Sequence, residues 1–268
     1  MKEIFPMVAT ALSAVILIMT IIWLIQKKIG NAGIVDIAWS YNFIIVALVF
    51  CFMGNGFMNR KLLVTMMVVI WGLRLGTYLF IRVMGHIETE DVRYKQLRED
   101  WKDKLQARFF GFFQMQGMLN VLLSLPFLLM CINTDPQIHT LEYIGFFTWV
   151  IALSGEALAD YQLARFKKDK SNKGKVCETG LWYYSRHPNY FFEWMIWVAY
   201  FIIALSSPYG WTSIICPLMM FYFLFKVTGI PMTEEQAVKS KGDMYRRYQQ
   251  TTSAFVPWFK KESEIQHT

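Results

Sequence analysis

The chain has 268 residues, of which 55% are hydrophobic and 17% aromatic, and it carries a formal net charge of +7 at pH 7. A mean hydropathy of +0.31 is well above that of water-soluble domains of this size, so the composition excludes that class and predicts an integral membrane protein. Membrane topology accounts for part of the basic excess, so the charge gives no reason to expect a nucleic-acid partner.

Seven apolar windows are long enough to span about 30 Å of hydrocarbon. In chain order they lie near residues 4–25, 34–53, 62–81, 109–132, 141–163, 190–207 and 211–228. The first window has no A-x-A-like cleavage site and is too long for the apolar region of a signal peptide, so we retain it as a span. The sequence therefore predicts an all-α, polytopic membrane protein with seven transmembrane helices.

The basic residues predict the orientation. If Lys27 and Lys28 face the cytoplasm and the chain then alternates, the segments 82–108 and 165–186 and the tail from Lys226 also lie on that side. These regions hold all Lys and Arg residues except Lys2, Arg60, Lys61 and Arg74. By the positive-inside rule the N-terminus lies outside and the C-terminus is cytoplasmic. We treat residues 1–268 as a single membrane-embedded domain with a cytoplasmic tail over 231–268.

The cysteines and histidines show no metal-ligand spacing. The four cysteines form no C-x-x-C motif, and no two histidines are separated by four residues as on one helix face. We therefore predict no metal site.

Among the charged residues inside the predicted spans, five are singled out: Asp36, Arg74, Glu156, Asp160 and Glu193. A charge at the bilayer centre costs roughly 2.5–3.5 kcal/mol on insertion scales, so each is a candidate functional residue. All except Arg74 lie in the cytoplasmic half of their helix, and we expect them to meet in one cavity open to the cytoplasm. The alternative is that they pair as structural contacts or reach the interface.

The sixth predicted helix begins in the segment SRHPNY, residues 185–190. Pro188 suits the first turn of a helix, and Ser185 or His187 can lie near the cap. The free N–H groups at this N-terminus, behind Arg186, favour an anionic ligand. One face of the helix carries a stripe at i, i+4, i+8 spacing, formed by Asn189, Glu193 and Trp197.

The fifth predicted helix repeats this spacing with carboxylates. Glu156 and Asp160 lie one turn apart and are followed by Arg165, Lys167 and Lys168. A carboxylate pair can bind ribose hydroxyls or an adenine amine, and the cations behind it can bind phosphates. The pattern favours a nucleotide-type cofactor.

The tail carries two further patterns. Thr233-x-x-Gln236 predicts a capping box that begins a short cytoplasmic helix with Glu234 and Glu235. Beyond a break at Gly242, three residues either belong to an interfacial aromatic belt or close over a bound cofactor: Tyr245, Arg246 and Tyr248.

Three segments carry a family resemblance: GLWYYSRHPNYFFEWMIW, ADYQLARFKKDKSNKGKVCETG and GIPMTEEQ followed by MYRRYQQTTSAFVPWF. In order and content they resemble the steroid 5α-reductase family, most closely its bacterial branch, and the similarity covers about residues 34–259. The segment RHPNY also resembles the corresponding segments of isoprenylcysteine carboxyl methyltransferases and sterol C14 reductases, which share the superfamily.

The resemblance implies a multi-pass enzyme of a bacterial inner membrane, with NADPH in a cytoplasm-facing cavity and a hydrophobic substrate that enters from the bilayer lipids. Asp160, Lys167, Asn189 and Glu193 match cofactor-motif positions, Arg93-Tyr94 match a phosphate contact, and Arg74 matches a helix-3 arginine. The sequence departs from the family at Trp71, where the family has its catalytic tyrosine, and at Val35-Asp36, the nearest counterpart of a Gln-Glu pair.

Together, these patterns give the expected cofactor-binding residues: Arg93, Tyr94, Glu156, Asp160, Arg165, Lys167, Arg186, His187, Asn189, Tyr190, Glu234, Glu235, Tyr245, Arg246 and Tyr248. The expected catalytic residues are Asp36, Arg74, Tyr78 and Glu193.

The leading hypothesis is hydride transfer from NADPH to the β-carbon of an α,β-unsaturated carbonyl in a steroid-like or other lipid. The carbonyl must then be polarised by a hydrogen-bond donor or acid in a dry pocket. Asp36, if protonated by burial, or Tyr78, one turn beyond Arg74, could supply it.

Two alternatives remain open. S-adenosylmethionine-dependent methyl transfer to a lipid or prenyl thiol agrees with the acidic pair Glu234 and Glu235, although this cofactor carries no phosphate for the basic loops to bind. The other alternative is a non-enzymatic sterol-binding or transport protein, which would also need buried charges.

Overall fold

The computed structural model describes residues 3–227 and 229–261, and helices are the regular elements of both ranges. The chain divides into two compact units. Unit 1 holds the described residues up to Ile138 together with Ser207–Gly210, and unit 2 holds His139–Ser206 and the described residues from Trp211 onwards.

Unit 1 is built on α1, α2 and α3, with α2 packed against both of its neighbours and α5 packed against α1 and α2. The glycine after α1, Gly30, has φ +72° and ends that helix in the left-handed conformation. In its described residues, the helices of unit 1 are α1 (Ile4–Ile29), α2 (Ile34–Met53), α3 (Met58–Met84), α4 (Val92–Asp100), α5 (Leu105–Leu123) and α6 (Leu125–Ile132).

Unit 2 is built on the pair formed by α7 and α9, which pack along their lengths. A capping box begins α7, in which the His139 and Glu142 side chains satisfy each other's backbone N–H groups. The described helices of unit 2 are α7 (Thr140–Lys168), α8 (Leu181–Tyr184), α9 (Pro188–Ala204), α10 (Ile215–Tyr222), α11 (Ile230–Lys241) and α12 (Asp243–Thr251). A π-helical turn, Phe223–Val227, continues α10.

Six helical segments of the described chain are long and apolar enough to cross a membrane: Ile4–Ile29, Ile34–Met53, Met58–Met84, Lys102–Ile132, Thr140–Lys168 and Gly210–Lys241. Large apolar side chains such as Phe52, 82% exposed, and Ile151, 67% exposed, face outward from them. The chain is a multi-pass integral membrane protein. The sixth predicted window, 190–207, corresponds to α9, which has 17 residues and is not among the six segments, so the seven-span topology and the orientation stay predictions.

The two cations in the first turn of α3, Arg60 and Lys61, are buried. Arg60 is fully buried and donates to the carbonyl oxygens of Asn133 at 3.3 Å and Asp135 at 2.6 Å. Lys61 donates to the carbonyl oxygen of Gly54 at 2.6 Å. Arg60 therefore ties the start of α3 to the segment after α6, and Lys61 ties it to the turn before α3.

The tail differs from the sequence prediction at its first helix. The predicted capping box at Thr233 is wrong, because α11 begins three residues earlier, at Ile230. The Thr233 hydroxyl instead donates to the carbonyl oxygen of Gly229 at 2.9 Å. The predicted break at Gly242 is confirmed, since this residue has φ +56° between α11 and α12. Thr228 and residues 262–268, which the predicted seventh span and tail include, lie outside the described residues.

Close packing between α7 and α9 depends on Gly145. A Cβ at this position would lie 2.9 Å from the carbonyl oxygen of Ala199. We expect Gly145→Ala to lower the free energy of unfolding by about 1–3 kcal/mol, because backbone or side chains must shift to accept the methyl group. Unfolding of detergent-purified protein by denaturant measures this change.

The matched control for this substitution is Gly111→Ala in α5. A Cβ at Gly111 would meet nothing within 4 Å, so the higher helix propensity of alanine should leave the stability unchanged or raise it by up to about 1 kcal/mol. Equal losses in the two variants would contradict the packing argument.

Candidate functional site

A carboxylate, two guanidinium groups and a phenol meet at the start of α2 in unit 1. Asp36 Oδ2 lies 3.0 Å from Arg93 Nη2 and 3.7 Å from Arg82 Nη2. Tyr94 Oη donates to Asp36 Oδ1 at 2.6 Å. We call these residues, with Asp91, the Asp36 cluster. The structure thus brings three residues of the predicted site together: Asp36, Arg93 and Tyr94.

The loop before α4 positions the cluster. Asp91 caps α4, accepting from Arg93 N at 3.0 Å, and its carboxylate also pairs with Arg93 Nε at 3.0 Å. Glu90 accepts from Ala32 N at 2.6 Å and pairs with Arg98 at 2.6 Å. These contacts tie the loop to the turn between α1 and α2, so Arg93 and Tyr94 reach Asp36 from a fixed support.

A cleft of about 280 Å³ lies beside the cluster. It is lined by Asn31, Gly33, Asp36, Arg82, Val83, His86, Thr89 and Asp91. Most of these residues are polar or charged, and the volume is below that of typical pockets for drug-sized ligands. The cleft therefore suits a small polar group better than a lipid chain.

The cluster places Asp36 as an acceptor. Both of its carboxylate oxygens receive hydrogen bonds, one from Tyr94 and one from Arg93. Burial raises the pKa of the Tyr94 phenol well above its usual value, and the charge of Asp36 raises it further, so this phenol stays a donor. The predicted role of Asp36 as a proton donor would need a rearrangement of these contacts. Its cationic partners include Arg93 and Arg82.

Asp91 gives the cluster an acid-sensitive contact. Burial raises the pKa of Asp91, but the hydrogen bonds and charge of Arg93 outweigh burial and hold it below its ordinary value of 3.8. A group with a depressed folded-state pKa stabilises the fold above its unfolded pKa, and this contribution is lost as the pH falls through the folded value. We therefore expect part of the stability to disappear below about pH 4.

Substitution of Asp91 tests this expectation. Melting temperatures measured in detergent between about pH 3 and pH 6 should depend less on pH in Asp91→Asn than in the parent protein. Glu99→Gln, which changes an exposed carboxylate of α4, should keep the parent dependence. An unchanged acid dependence in Asp91→Asn would contradict the assignment.

In unit 2, the facing sides of α7 and α9 bring a second group of predicted residues together. Asn189 Nδ2 donates to Asp160 Oδ1 at 3.2 Å. The amide oxygen of Asn189 is buried and has no hydrogen-bond partner among the described residues. Glu156, one turn before Asp160, is buried. Glu193, one turn beyond Asn189, accepts from Trp197 Nε1 at 3.0 Å.

The segment SRHPNY is joined to the tail through Arg186. Its guanidinium Nε lies 2.6 Å from Glu234 Oε1, and Nη1 donates to the carbonyl oxygens of Gln249 at 2.8 Å and Thr252 at 2.6 Å. His187 Nε2 lies 3.1 Å from the same Glu234 oxygen, and Gln249 Nε2 donates to Glu234 Oε2 at 2.7 Å. We call these five residues the Arg186 network.

Further contacts fasten the same turn. Arg186 N donates to the carbonyl oxygen of Ser253 at 2.8 Å, and the Ser185 hydroxyl donates to that of Phe255 at 2.8 Å. The Tyr248 hydroxyl donates to the carbonyl oxygen of Ser185 at 3.1 Å, and burial raises the pKa of this phenol far above its usual value. The tail therefore completes the turn that begins α9.

The remaining tail residues of the predicted site divide into two groups. Tyr245 is 5% exposed, and its ring centroid lies 5.8 Å from that of Tyr248. Glu235 and Arg246 are exposed and form ion pairs with Lys239 and Asp243, at 2.6 Å and 3.0 Å. Their predicted cofactor contacts stay predictions, but neither residue joins the Arg186 network.

Sequence reasoning missed several members of these groups. A helix-capping signal marks Asp91, an aspartate directly before the first residue of α4. No local signal marks Arg82 or Gln249, because the partners of these residues lie far away along the chain. Arg74 and Tyr78 both lie on α3, and Arg165 lies near the end of α7.

Comparisons with known proteins give a family and one distant relative. The profile of a family described as "Protein of unknown function (DUF1295)" matches residues 22–252. The chain is 26% identical to a Schizosaccharomyces pombe protein described as "Uncharacterized protein C594.04c", over 88% of this chain and 76% of the yeast protein. No solved structure matches. The family match covers the Asp36 cluster, the Asp160–Asn189 pair and the Arg186 network.

Proposed function

The chain belongs to the DUF1295 family of proteins of unknown function, and we propose that it is a membrane oxidoreductase. In this proposal it transfers a hydride from NADPH to the C=C bond of an α,β-unsaturated carbonyl in a hydrophobic, steroid-like or other lipid substrate. The proposal includes seven spans, an outer N-terminus, and a cofactor site that faces the cytoplasm of a bacterial cell. The sequence resemblance to the steroid 5α-reductases supports it.

The observation that carries the proposal is the Asp160–Asn189 pair. Burying the Asn189 amide oxygen without a partner costs about 1–3 kcal/mol, and a ligand N–H group at this position would recover that cost. Carboxamide and amino groups at the two ends of a dinucleotide are such donors. With the carboxylates of Asp160 and Glu156 on the same helix face, these residues fit the N–H-bearing and hydroxyl-bearing parts of NADPH.

The phosphates of the cofactor need cationic side chains in unit 2. Glu234 pairs with Arg186 and His187, so these two predicted residues already have an anionic partner. The ring of Tyr190 stacks on His187 at a centroid distance of 5.4 Å. Arg165 and Lys167 lie in the last turn of α7, on the helix that carries Asp160, and we assign the phosphate contacts in unit 2 to them.

Bound NADPH would supply a hydride to the substrate β-carbon. A proton must reach the α-carbon, which leaves a saturated carbonyl compound and NADP⁺. The protein must stabilise negative charge on the carbonyl oxygen, and Arg74 and Tyr78 carry donors suited to this task. Asp36 already accepts hydrogen bonds, which favours Arg74 and Tyr78 over it as the donor.

The direct test is calorimetric binding of NADPH, NADH and S-adenosylmethionine to the detergent-purified protein. We expect NADPH to bind most tightly, and Asp160→Ala to weaken its binding by about tenfold or more, because a hydrogen bond to a charged group is lost. Asp103→Asn, which changes an exposed carboxylate of unit 1, should leave the affinity unchanged.

Other outcomes would overturn the proposal. Binding of S-adenosylmethionine alone would identify a methyltransferase, for which the buried acceptors Glu156, Asp160 and Asn189 would also suit a cationic ligand. Accumulation of a substrate in vesicles without either cofactor would identify a transporter. NADPH binding that is equal in the parent and Asp160→Ala would remove the cofactor site from the α7–α9 pair.

A further inference from the structure

The loop after α7 forms a cleft of about 430 Å³ within unit 2. Five lysines line it: Lys167, Lys170, Lys173, Lys175 and Lys241. We call it the lysine cleft. Four of these lysines come from α7 and the loop after it, and Lys241 comes from the C-terminal end of α11. The folded chain thus brings two basic segments to one cavity.

The loop that carries these lysines has a defined structure. Asp169 accepts from Ser171 N at 2.9 Å, and Asn172 Nδ2 donates to the carbonyl oxygen of Phe166 at 3.1 Å. Gly174 has φ +83°, a conformation that side chains disfavour, and it turns the chain back towards α7. The ammonium groups are therefore carried by a folded support.

The charges of the cleft are not balanced by its own residues. Asp169 is the lining residue with a carboxylate, and it already caps the turn at Ser171. Lys170, Lys173 and Lys175 have no carboxylate within 4 Å among the residues that the structure describes, and the same holds for Lys241. Five cations around one cavity repel one another, and a bound anion would relieve that repulsion.

The position of the cleft indicates the kind of anion. The helix α7 is a candidate membrane span that ends at Lys168, so the cleft lies at the end of a span. Leu163 and Phe166 also line it and offer an apolar surface beside the cations. Basic pockets at the ends of transmembrane helices suit the phosphorylated headgroups of anionic lipids.

We propose that the lysine cleft binds a phosphomonoester group, supplied by the headgroup of an anionic phospholipid. The same chemistry would also accept a soluble phosphate ester, and the experiment below separates the two sources. Lys167 is also assigned to the cofactor, but Lys170, Lys173, Lys175 and Lys241 are not. The proposal needs only these four lysines and therefore does not rest on the proposed reaction.

The experiment measures calorimetric binding to the full-length protein in a neutral detergent. The probes are dioctanoyl phosphatidic acid, dioctanoyl phosphatidylcholine and glycerol 3-phosphate. The last is the glycerol phosphate part of phosphatidic acid without its acyl chains. The test variant is Lys173→Gln/Lys175→Gln. The matched control is Lys102→Gln/Lys104→Gln, which removes the same charge from an exposed turn of unit 1. Because all four lysines are exposed, we expect both variants to fold.

We expect phosphatidic acid to bind more tightly than phosphatidylcholine, and the test variant to lose about tenfold to thirtyfold in affinity while the control loses little. Binding of glycerol 3-phosphate as tight as that of phosphatidic acid, with the same loss in the test variant, would keep the cleft as a phosphate site and assign a soluble source. Equal losses in both variants, or no binding of either phosphate compound, would overturn the proposal.

Discussion

Replacing Arg186 by glutamine is expected to lower the free energy of unfolding by about 3 kcal/mol and to detach the end of the described chain. The Arg186 side chain is 10% exposed and Glu234 is 14% exposed. Removal of the Arg186 guanidinium leaves the largely buried carboxylate of Glu234 without its arginine partner. It also leaves the carbonyl oxygens of Gln249 and Thr252 without their donor. Breaking a buried pair in this way costs more than the pair itself contributes.

Two measurements check this result. Thermal unfolding of the detergent-purified protein gives the stability loss, and limited proteolysis reports release of residues 249–261. The matched control is Arg246→Gln, because Arg246 and its partner Asp243 are 64% and 94% exposed. Exposed pairs contribute about 0–1 kcal/mol, so the control should unfold and be cleaved almost like the parent. Equal losses in both variants would show that the network does not hold the tail.

Replacing Asp36 by alanine is expected to cost about 2 kcal/mol. The side chain is 18% exposed, and it satisfies both Arg93 and Tyr94. Without it, the Tyr94 hydroxyl loses its acceptor at a position that is 3% exposed. The loss stays below the full value for a buried pair because Arg93 keeps Asp91 as a second partner.

Asp36→Asn separates charge from hydrogen bonding. The amide oxygen can still accept from Tyr94, whereas the attraction for Arg93 is lost, so we expect an intermediate loss of stability. The exposed Asp103→Ala serves as the neutral control. Denaturant unfolding of the three variants gives the order, and a loss in Asp36→Asn as large as in Asp36→Ala would show that charge alone accounts for the contact.

The membrane helices could be predicted because a segment that crosses the hydrocarbon core of the bilayer must be apolar over a length that matches its thickness. The second window coincides with α2, Ile34–Met53. Helix α3 runs beyond its window of 62–81 to Met58–Met84, since polar ends continue the backbone hydrogen bonding outside the hydrocarbon. The window 109–132 was predicted as one helix, but the structure divides it into α5 and α6 at Ser124. The Ser124 hydroxyl donates to the carbonyl oxygen of Asn120 at 2.8 Å.

Residues of the candidate site could be predicted only where polar residues recur at i, i+4 spacing on one face of a helix. The i, i+4 stripes of helices 5 and 6 led to Asp160 and Asn189, which the structure joins. Helical spacing says nothing about the partners of Asp36, because Arg93 and Tyr94 lie 57 and 58 residues away. The same holds for Arg186, whose carboxylate partner lies 48 residues later in a different helix.

The hydrogen bonds between the SRHPNY turn and the tail determine when this part of unit 2 can fold during synthesis. The hydrogen bond of Arg186 to the carbonyl oxygen of Thr252 can form only after 66 further residues have been translated. That of Ser185 to the carbonyl oxygen of Phe255 needs 70 further residues. A ribosome therefore delivers α9 to the membrane well before the partners of its N-terminal turn have been translated. Unit 2 can reach its final structure only after Phe255 has been translated, so a nascent chain that stops before Thr252 would leave this turn open to quality-control proteases.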